Sequence, residues 1–229
     1  MYKNIIISYE KGLIDIRKTI DDDHVWEKIN LYFRYMGMDS NSFELKKNYE
    51  KSLRNLRNAK SSKDPDVDID IEDVFYKMFK KYHQKAKKKH LKELGILFQV
   101  LTTESIEVNK EIMPIIEFAM DKGIQLYAIA NGQASEIKNE LKAINLAEVI
   151  TDTYCSSVSG IKKPGGKMLS DLVSNYNLKK KETLVISSDY DLDLVAAKAL
   201  GLKVALLGDA SENEVNCVGD AERIIKFIK

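Results

Sequence analysis

The sequence has little cysteine, almost no net charge and no long hydrophobic run. Its 2 cysteines, Cys155 and Cys217, are too few for a disulfide framework, and each is expected to be a small buried hydrophobic residue. The 36 basic and 35 acidic side chains give a formal charge of +1, so no overall field attracts nucleic acid or a membrane surface. No apolar stretch reaches the length of a membrane span, and the N-terminal residues pass directly into a short apolar strand. A cytoplasmic protein is therefore expected.

The composition is that of a globular protein with room for a core domain and a smaller inserted one. Hydrophobic residues make up 44% of the 229 positions and charged residues 31%. From about residue 104, short apolar runs alternate with segments of helical periodicity. Such alternation predicts an α/β fold in which a Rossmann-like parallel sheet is covered by helices on both faces. Strands are predicted at residues 5–7, 124–130, within 149–155, at 183–186 and at 203–207.

A helical block interrupts this alternation directly after the first strand. Helices are predicted from about residue 21 to 37, from Ser42 to 56 with Ser42 as the cap, and from 71 to 90, with a loop at 61–70 around Pro65. The simplest interpretation is an inserted helical cap over the carboxyl-terminal edge of the sheet. The predicted domains are thus residues 1–15 with 99–229 as the core and residues 16–98 as the cap.

Four short signatures occur at or near the ends of the predicted strands, where an open parallel sheet places its ligand crevice. The first follows the N-terminal strand, the second follows strand 124–130, the third precedes a helix, and the fourth follows strand 183–186. They read Ser8-Tyr9-Glu10-Lys11-Gly12, Ala130-Asn131-Gly132, Lys163-Pro164 and Ser187-Ser188-Asp189-Tyr190-Asp191-Leu192-Asp193.

In their order, in their spacing and in the early helical insertion, these signatures resemble the haloacid dehalogenase (HAD) superfamily. The resemblance is narrowest to its phosphoglycolate phosphatase and β-phosphoglucomutase branch, which carries a helical cap after the first motif. It implies a HAD-like core in which one aspartate attacks phosphorus and a second acts as acid and base. A hydroxyl and backbone N–H groups then bind phosphate, a lysine steadies its charge, and acidic residues hold Mg2+.

Carried over to this chain, the first two motifs depart from that pattern. Ser8 stands at the nucleophile position, where it cannot form an acyl phosphate or offer Mg2+ a carboxylate oxygen. Glu10 stands at the acid/base position and keeps a carboxyl group. Lys11 and Gly12 replace a Gly-Thr pair, and Lys11 is a candidate for phosphate binding. Ala130 replaces the phosphate-binding hydroxyl, although the backbone N–H groups of Asn131 and Gly132 remain candidate donors.

The third and fourth motifs are better preserved. Lys163 matches the charge-steadying lysine, with an ordinary loop lysine as the alternative. Helix phasing puts Ser188 and Asp193 on the acidic positions, whereas a shift of one residue offers Asp189 with Asp193 as metal ligands. Ordinary helix-entry acids are the alternative interpretation for both aspartates. Because the nucleophile is substituted, the sequence predicts that Mg2+ binding is weak or absent.

Two functional hypotheses follow from this uneven match. In the first, phosphatase activity is lost or strongly weakened, and the chain binds a small phosphorylated molecule or inorganic phosphate, or a protein partner, as a pseudoenzyme. In the second, the chain is an active Mg2+-dependent phosphohydrolase in which Glu10 or Asp189, together with Asp193, activates water on a metal. A third hypothesis is a protein or nucleic-acid binder acting through the lysines of residues 85–92. A membrane is not an expected partner, and nucleic acid is expected less than a small phosphorylated molecule or a protein.

Overall fold

A computed structural model describes residues 2–10, 12–61, 66–209 and 215–229. The chain separates into two compact units, which we call the α/β unit and the helical unit. The α/β unit comprises Met1–Asp15 and Ile106–Lys229, and the helical unit comprises Ile16–Ser105. The predicted boundary at residue 98 falls inside a helix that continues to Thr102.

The α/β unit is built on a sheet that contains six strands among the described residues, all paired in parallel. The order across this sheet is β5-β4-β1-β6-β7-β8, and β2 pairs with β3 in a separate two-stranded sheet. The strands are β1 (Asn4–Ser8), β2 (Ile14–Lys18), β3 (Thr103–Val108), β4 (Gln125–Ala130), β5 (Asp152–Cys155), β6 (Thr183–Ser187), β7 (Lys203–Leu207) and β8 (Cys217–Gly219).

Strand β1 lies in the middle of this sheet because its sequence suits burial on both faces. Ile5, Ile6 and Ile7 are all 0% exposed. A continuous β-branched run of this kind is typical of a parallel strand covered by helices on both sides. Ser8 is paired in register with Ile129 of β4, and Ile7 with Ile186 of β6. The carboxyl ends of these three strands consequently lie side by side.

The helical unit is held together by aromatic side chains on the inner faces of its helices. Those helices are α1 (Asp23–Tyr35), α2 (Ser42–Ser61), α3 (Ile71–Lys81) and α4 (Lys88–Thr102). Trp26, Phe33, Phe75 and Phe79 are each at most 2% exposed. Phe33 meets Phe79 with ring centroids 5.1 Å apart. Offset or tilted ring pairs at this distance add to the stability gained from burial alone.

The helices of the α/β unit follow the predicted alternation with strands. Pro114 lies at the start of α5, where its missing N–H costs nothing, and Gly123 ends that helix at φ 64°. A π-helical turn, Tyr190–Leu194, leads directly into α9. These helices are α5 (Met113–Lys122), α6 (Ala134–Ala143), α7 (Ser156–Ser159), α8 (Lys167–Asn175), α9 (Val195–Ala199) and α10 (Ala221–Ile228).

Several local predictions were wrong. The predicted helix 71–90 ends at Lys81, because His83 adopts the left-handed φ of 54° and α4 starts afresh at Lys88. The cap of α2 is Asn41, whose Oδ1 accepts the N–H of Glu44, and Ser42 lies inside the helix. The predicted loop after β5 begins with the short helix α7, and the pairing of β2 with β3 was missed.

Two further observations complete the fold. Residues 62–65 of the predicted loop, with Pro65 among them, lie outside the described residues. None of the helices in the described part of the chain is long and apolar enough to cross a bilayer.

A substitution inside the aromatic core should destabilise the protein far more than one on the outer face of the same helix. Phe33→Ala removes a fully buried ring and should lower the free energy of unfolding by about 3–5 kcal/mol. Tyr35→Ala, on a side chain that is 80% exposed, is the matched control and should change it by less than about 0.5 kcal/mol. Urea unfolding followed by helical circular dichroism measures both. Equal effects of the two variants would contradict this account of the core.

Candidate functional site

The signatures singled out in the sequence come together at the carboxyl ends of the central strands. Ser8 is the last residue of β1, Ala130 the last of β4 and Ser187 the last of β6. Lys163 comes from the loop between α7 and α8. In this arrangement one loop lysine meets side chains that originate more than a hundred residues earlier in the chain.

The ammonium group of Lys163 is the centre of the cluster. Its Nζ lies 2.9 Å from Ser8 Oγ, 2.9 Å from Glu10 Oε2 and 3.0 Å from Asp193 Oδ1. The side chain of Lys163 is 3% exposed, that of Asp193 is 0% exposed and that of Glu10 is 29% exposed. A lysine ammonium has three N–H bonds, and three oxygen atoms surround it here. We call Lys163, Ser8, Glu10 and Asp193 the lysine cluster.

Ser8 takes part in this cluster as a hydrogen-bonding group rather than as an activated alcohol. Its Oγ accepts from Lys163 Nζ and donates its own proton to the backbone carbonyl of Glu10, 2.8 Å away. The residue is 0% exposed. A serine becomes a nucleophile when a neighbouring base accepts its proton. In this geometry the proton of Ser8 is directed at a peptide carbonyl, which is not such a base.

The lysine loop is fastened to the end of β4 by Asn131. The Lys163 N–H donates to Asn131 Oδ1 at 2.7 Å, and Asn131 Nδ2 donates to the carbonyl of Lys163 at 3.4 Å. This pair of contacts fixes the backbone from which the lysine side chain extends. The amide of Asn131 is therefore used for positioning Lys163.

The backbone donors that follow Asn131 are also occupied by groups of the protein. The N–H of Gly132 donates to Ser156 Oγ at 2.8 Å, and that of Ala134 donates to Ser157 Oγ at 3.0 Å. Ser156 is 0% exposed. In the resembled family, N–H groups at this position face phosphate, whereas two serine hydroxyls of α7 occupy the acceptor positions in this chain.

The two aspartates of the fourth signature have different surroundings. Asp189 accepts the N–H of Leu192 at 3.0 Å and so caps the π-helical turn. Asp193 points inward, where its Oδ2 accepts the hydroxyl of Ser187 at 2.6 Å while its Oδ1 faces Lys163. Only Asp193 therefore belongs to the lysine cluster.

The donor set does not fit the Mg2+ ion that the fold family implies. Mg2+ prefers several hard oxygen ligands in octahedral geometry, usually including carboxylates. Here Ser8 offers a neutral hydroxyl, and Asp193 already faces an ammonium at 3.0 Å. Among the described residues, no group of three or more His, Cys, Asp and Glu side chains is arranged to hold a metal.

A second buried polar contact lies next to the cluster. The hydroxyl of Tyr9 donates to Glu140 Oε2 at 3.0 Å, and these residues are 1% and 4% exposed. Burial, reinforced by Glu140, raises the pKa of the Tyr9 phenol, which therefore stays protonated and continues to donate. Burial and then Glu10 raise the pKa of the Cys155 thiol to about 12.

The structure brings some of the predicted site residues together and separates others. Ser8, Glu10, Lys163 and Asp193 form one cluster, and Asn131 is bonded to the backbone beside it. Ala130 is 0% exposed within β4. The N–H of Gly132 is hydrogen-bonded to Ser156 of α7, and Asp189 caps the π-helical turn. Lys11 lies outside the described residues. The roles assigned to all of these residues remain predictions.

Sequence reasoning assigned no role to three serines and to Tyr9. Ser156, Ser157 and Ser187 hold the loops in place, and the Tyr9–Glu140 pair joins the end of β1 to α6. Serines are common beside strand ends, so their presence in the sequence does not indicate which group they hydrogen-bond. The alternation of Ser8, Tyr9 and Glu10 along the chain was the only available signal that Tyr9 points away from its neighbours.

Comparisons with known proteins agree with this architecture. A family model described as haloacid dehalogenase-like hydrolase matches residues 40–207 of the chain. No protein of curated function matches the sequence.

Three solved structures illustrate the likeness in fold. The Bacillus subtilis protein YfnB, described as a HAD-hydrolase and solved bound to magnesium, is 14% identical with a TM-score of 0.56, covering 99% of this chain and 98% of its own. A Haemophilus somnus protein described as a predicted phosphoglycolate phosphatase is 12% identical with a TM-score of 0.57. The match covers 100% of this chain and 98% of that protein. The L-2-haloacid dehalogenase PA0810 is 14% identical with a TM-score of 0.58, covering 100% and 99%.

Removing the cation from the lysine cluster should strongly destabilise the protein. Lys163→Met leaves buried carboxylate charge without its partner and should cost about 3–5 kcal/mol of unfolding free energy. Combining it with Asp193→Asn should cost less than the sum of the two single substitutions by about 1 kcal/mol or more, because the two groups interact directly. Chemical denaturation of the four proteins in this double-mutant cycle measures the coupling. Costs that add to within about 0.5 kcal/mol would show that the pair is not coupled.

Cys155 should be unreactive in the folded protein. With its pKa raised to about 12, only roughly one thiol in ten thousand is deprotonated at pH 8, and the thiolate is the reactive form. Reaction with a disulfide reagent at pH 8 should therefore be slow for the native protein and rapid after unfolding in urea. Both cysteines are expected to react after unfolding, which provides the control. Rapid labelling of Cys155 in the native state, identified by peptide mapping, would contradict the burial described here.

Proposed function

Since this chain belongs to the haloacid dehalogenase-like hydrolase family, we propose that it is a member whose phosphoryl-transfer activity has been lost or strongly weakened. In this proposal it acts as a phospho-ligand binding or interaction module. The observation that carries the proposal is the state of Ser8, which is buried, neutral and hydrogen-bonded in both directions. Removing the nucleophile from a group of residues that act together usually abolishes most of the acceleration.

The proposal extends to the metal. The structure of YfnB is described as bound to magnesium, whereas the lysine cluster offers one fully buried carboxylate that already faces an ammonium. A divalent ion in that position would have to approach Lys163 closely, and like charges repel strongly in a poorly solvated site. We therefore infer that Mg2+ binding is weak or absent in this chain.

The same contacts bear on the ligand. The Haemophilus somnus protein is described as a predicted phosphoglycolate phosphatase, so a small phosphorylated molecule or inorganic phosphate is the first candidate ligand. To reach Lys163, such an anion would have to displace Glu10 or Asp193 from the ammonium. The donors of Gly132 and Ala134 already face Ser156 and Ser157. These contacts weigh against tight retention of phosphate at the strand ends, and a protein partner is the alternative ligand of the proposal.

A second candidate function, an active hydrolase, rests on one observation about Glu10. Its side chain is 29% exposed and is the part of the lysine cluster that water reaches. A carboxylate in that position can accept a proton from an attacking water molecule. The two candidates differ in what happens when this carboxyl group is replaced by an amide.

Turnover measurements distinguish them. The wild-type protein, assayed with p-nitrophenyl phosphate and acetyl phosphate with and without Mg2+, should show no hydrolysis above that of Glu10→Gln. Its melting temperature should not change on addition of Mg2+, because the donor set does not suit the ion. Ser8→Asp, which restores a carboxylate, is the matched variant and should gain a rise in melting temperature with Mg2+.

The opposite results would overturn the proposal. Hydrolysis by the wild type that Glu10→Gln abolishes would identify an active enzyme of the second kind. Radioactive phosphate attached covalently to the chain during turnover would show that the nucleophile is not lost.

A further inference from the structure

A separate cavity of about 490 Å³ lies in the α/β unit, at the opposite end of the sheet from the lysine cluster. It is lined by Asn4 and Gln125, which begin β1 and β4, and by Glu182, which precedes β6. The lysine cluster lies beyond the carboxyl ends of the same strands, and a five-residue strand is about 17 Å long. The two sites are therefore distinct, and the cavity plays no part in the proposed function above.

Positive charge converges on this cavity. Lys3, Lys122 and Lys179 line it, together with one carboxylate, that of Glu182. Lys3 Nζ lies 2.9 Å and Lys179 Nζ 3.7 Å from Glu182, and the hydrogen bond from Lys3 lowers the pKa of this carboxyl group, which stays ionised at neutral pH. The lining thus contains three lysines and one carboxylate, and two further carboxylates, those of Asp121 and Asp152, contact Lys122 and Tyr176. Lys122 also meets Asp121, in an exposed pair that attracts only weakly.

An aromatic wall adjoins the lysines. Tyr127 is 4% exposed, and the ring of Tyr176 packs against it with centroids 4.9 Å apart, while Tyr176 itself is 39% exposed. The hydroxyl of Tyr176 donates to Asp152 Oδ2 at 2.7 Å. That bond raises the pKa of Tyr176 to about 12, so the phenol remains neutral at pH 7. The ring is thus held in position by a hydrogen bond from its neutral phenol to a carboxylate.

Polar side chains complete the lining. The amide groups of Asn4, Gln125 and Asn177 border the cavity, and amides supply both donors and acceptors. Its volume falls within the range of sites that hold small molecules, about 300–1,000 Å³. The cationic groups would suit an anionic tail, the partly exposed aromatic ring would suit a planar ring, and the amides would suit a hydrogen-bonding edge. One class of ligand has all three features.

We propose that this cavity binds a nucleoside phosphate. The phosphate groups lie against the ammonium groups of Lys3, Lys122 and Lys179. The base lies against the ring of Tyr176, and its edge faces the amide side chains. A free phosphate ion would use the lysines alone and would leave the aromatic wall uncovered.

Calorimetry on the full-length protein with ADP and, separately, with inorganic phosphate tests the proposal. ADP should bind to the wild type. The double substitution Lys122→Ala with Lys179→Ala should lower the affinity for ADP by about tenfold or more, because salt screens exposed charges and only lysines close to the phosphates contribute to binding. Tyr176→Leu should lower the affinity for ADP by about five- to a hundredfold, the usual range for loss of base stacking on an aromatic ring. Tyr176→Phe, which keeps the ring and removes only the bond to Asp152, should bind ADP nearly as well as the wild type.

Two controls separate this site from general charge attraction and from loss of folding. Lys138→Ala with Lys142→Ala removes two lysines that line a different cavity and should leave ADP binding unchanged. Thermal melting confirms that each variant folds, which is expected because the lysines concerned are exposed.

Three outcomes would overturn the proposal. The first is the absence of ADP binding by the wild type. The second is an equal loss of affinity in the two lysine pairs. The third is phosphate binding as tight as that of ADP and insensitive to Tyr176→Leu, which would leave a simple anion site without recognition of a nucleoside.

Discussion

The ammonium of Lys163 and the oxygens around it are the interaction on which the organisation of the strand ends depends. Lysine and aspartate are almost never fully buried unless paired, since each loses several kcal/mol of hydration on leaving water. Here the ammonium faces Ser8, Glu10 and Asp193 within 3.0 Å. The segment after β1, the loop between α7 and α8 and the segment after β6 are thereby held in contact with one another. The surrounding hydrogen bonds through Asn131 and Ser187 hold both ends of this contact in place.

The same contacts involve several of the residues at which the sequence analysis expects departures from the family pattern. With the neutral hydroxyl of Ser8 beside it, the ammonium of Lys163 is shared by the carboxylates of Glu10 and Asp193. The side chain of Ala130 is a buried methyl group, and serines of α7 accept the N–H groups of Gly132 and Ala134. Family membership fixes the fold, whereas activity depends on these individual groups.

Much of the fold could be predicted from the sequence, because β-branched runs such as Ile5–Ile7 and Leu184–Ile186 identify buried parallel strands on their own. The convergence of Ser8, Asn131, Lys163 and the residues after Ser187 followed from the same rule about strand ends. The contacts within the site could not be predicted. Whether Lys163 faces solvent or Asp193, and whether Asp189 binds an ion or caps Leu192, depends on side-chain directions that spacing does not determine. The break at His83 was hidden for a similar reason, since apolar spacing continues on both sides of it.

The position of β1 at the middle of the sheet has a consequence for how the chain is made. Its partners are Gln125–Ile129 of β4 and Thr183–Ile186 of β6, so β1 leaves the ribosome long before the segments with which it pairs. At typical rates of about 5–20 residues per second, the run Ile5-Ile6-Ile7 waits several seconds or more for its neighbours. During that interval a β-branched, uncharged segment is exposed to other nascent chains. The helical unit, whose four helices lie entirely between β1 and its partners, is complete before the sheet can close.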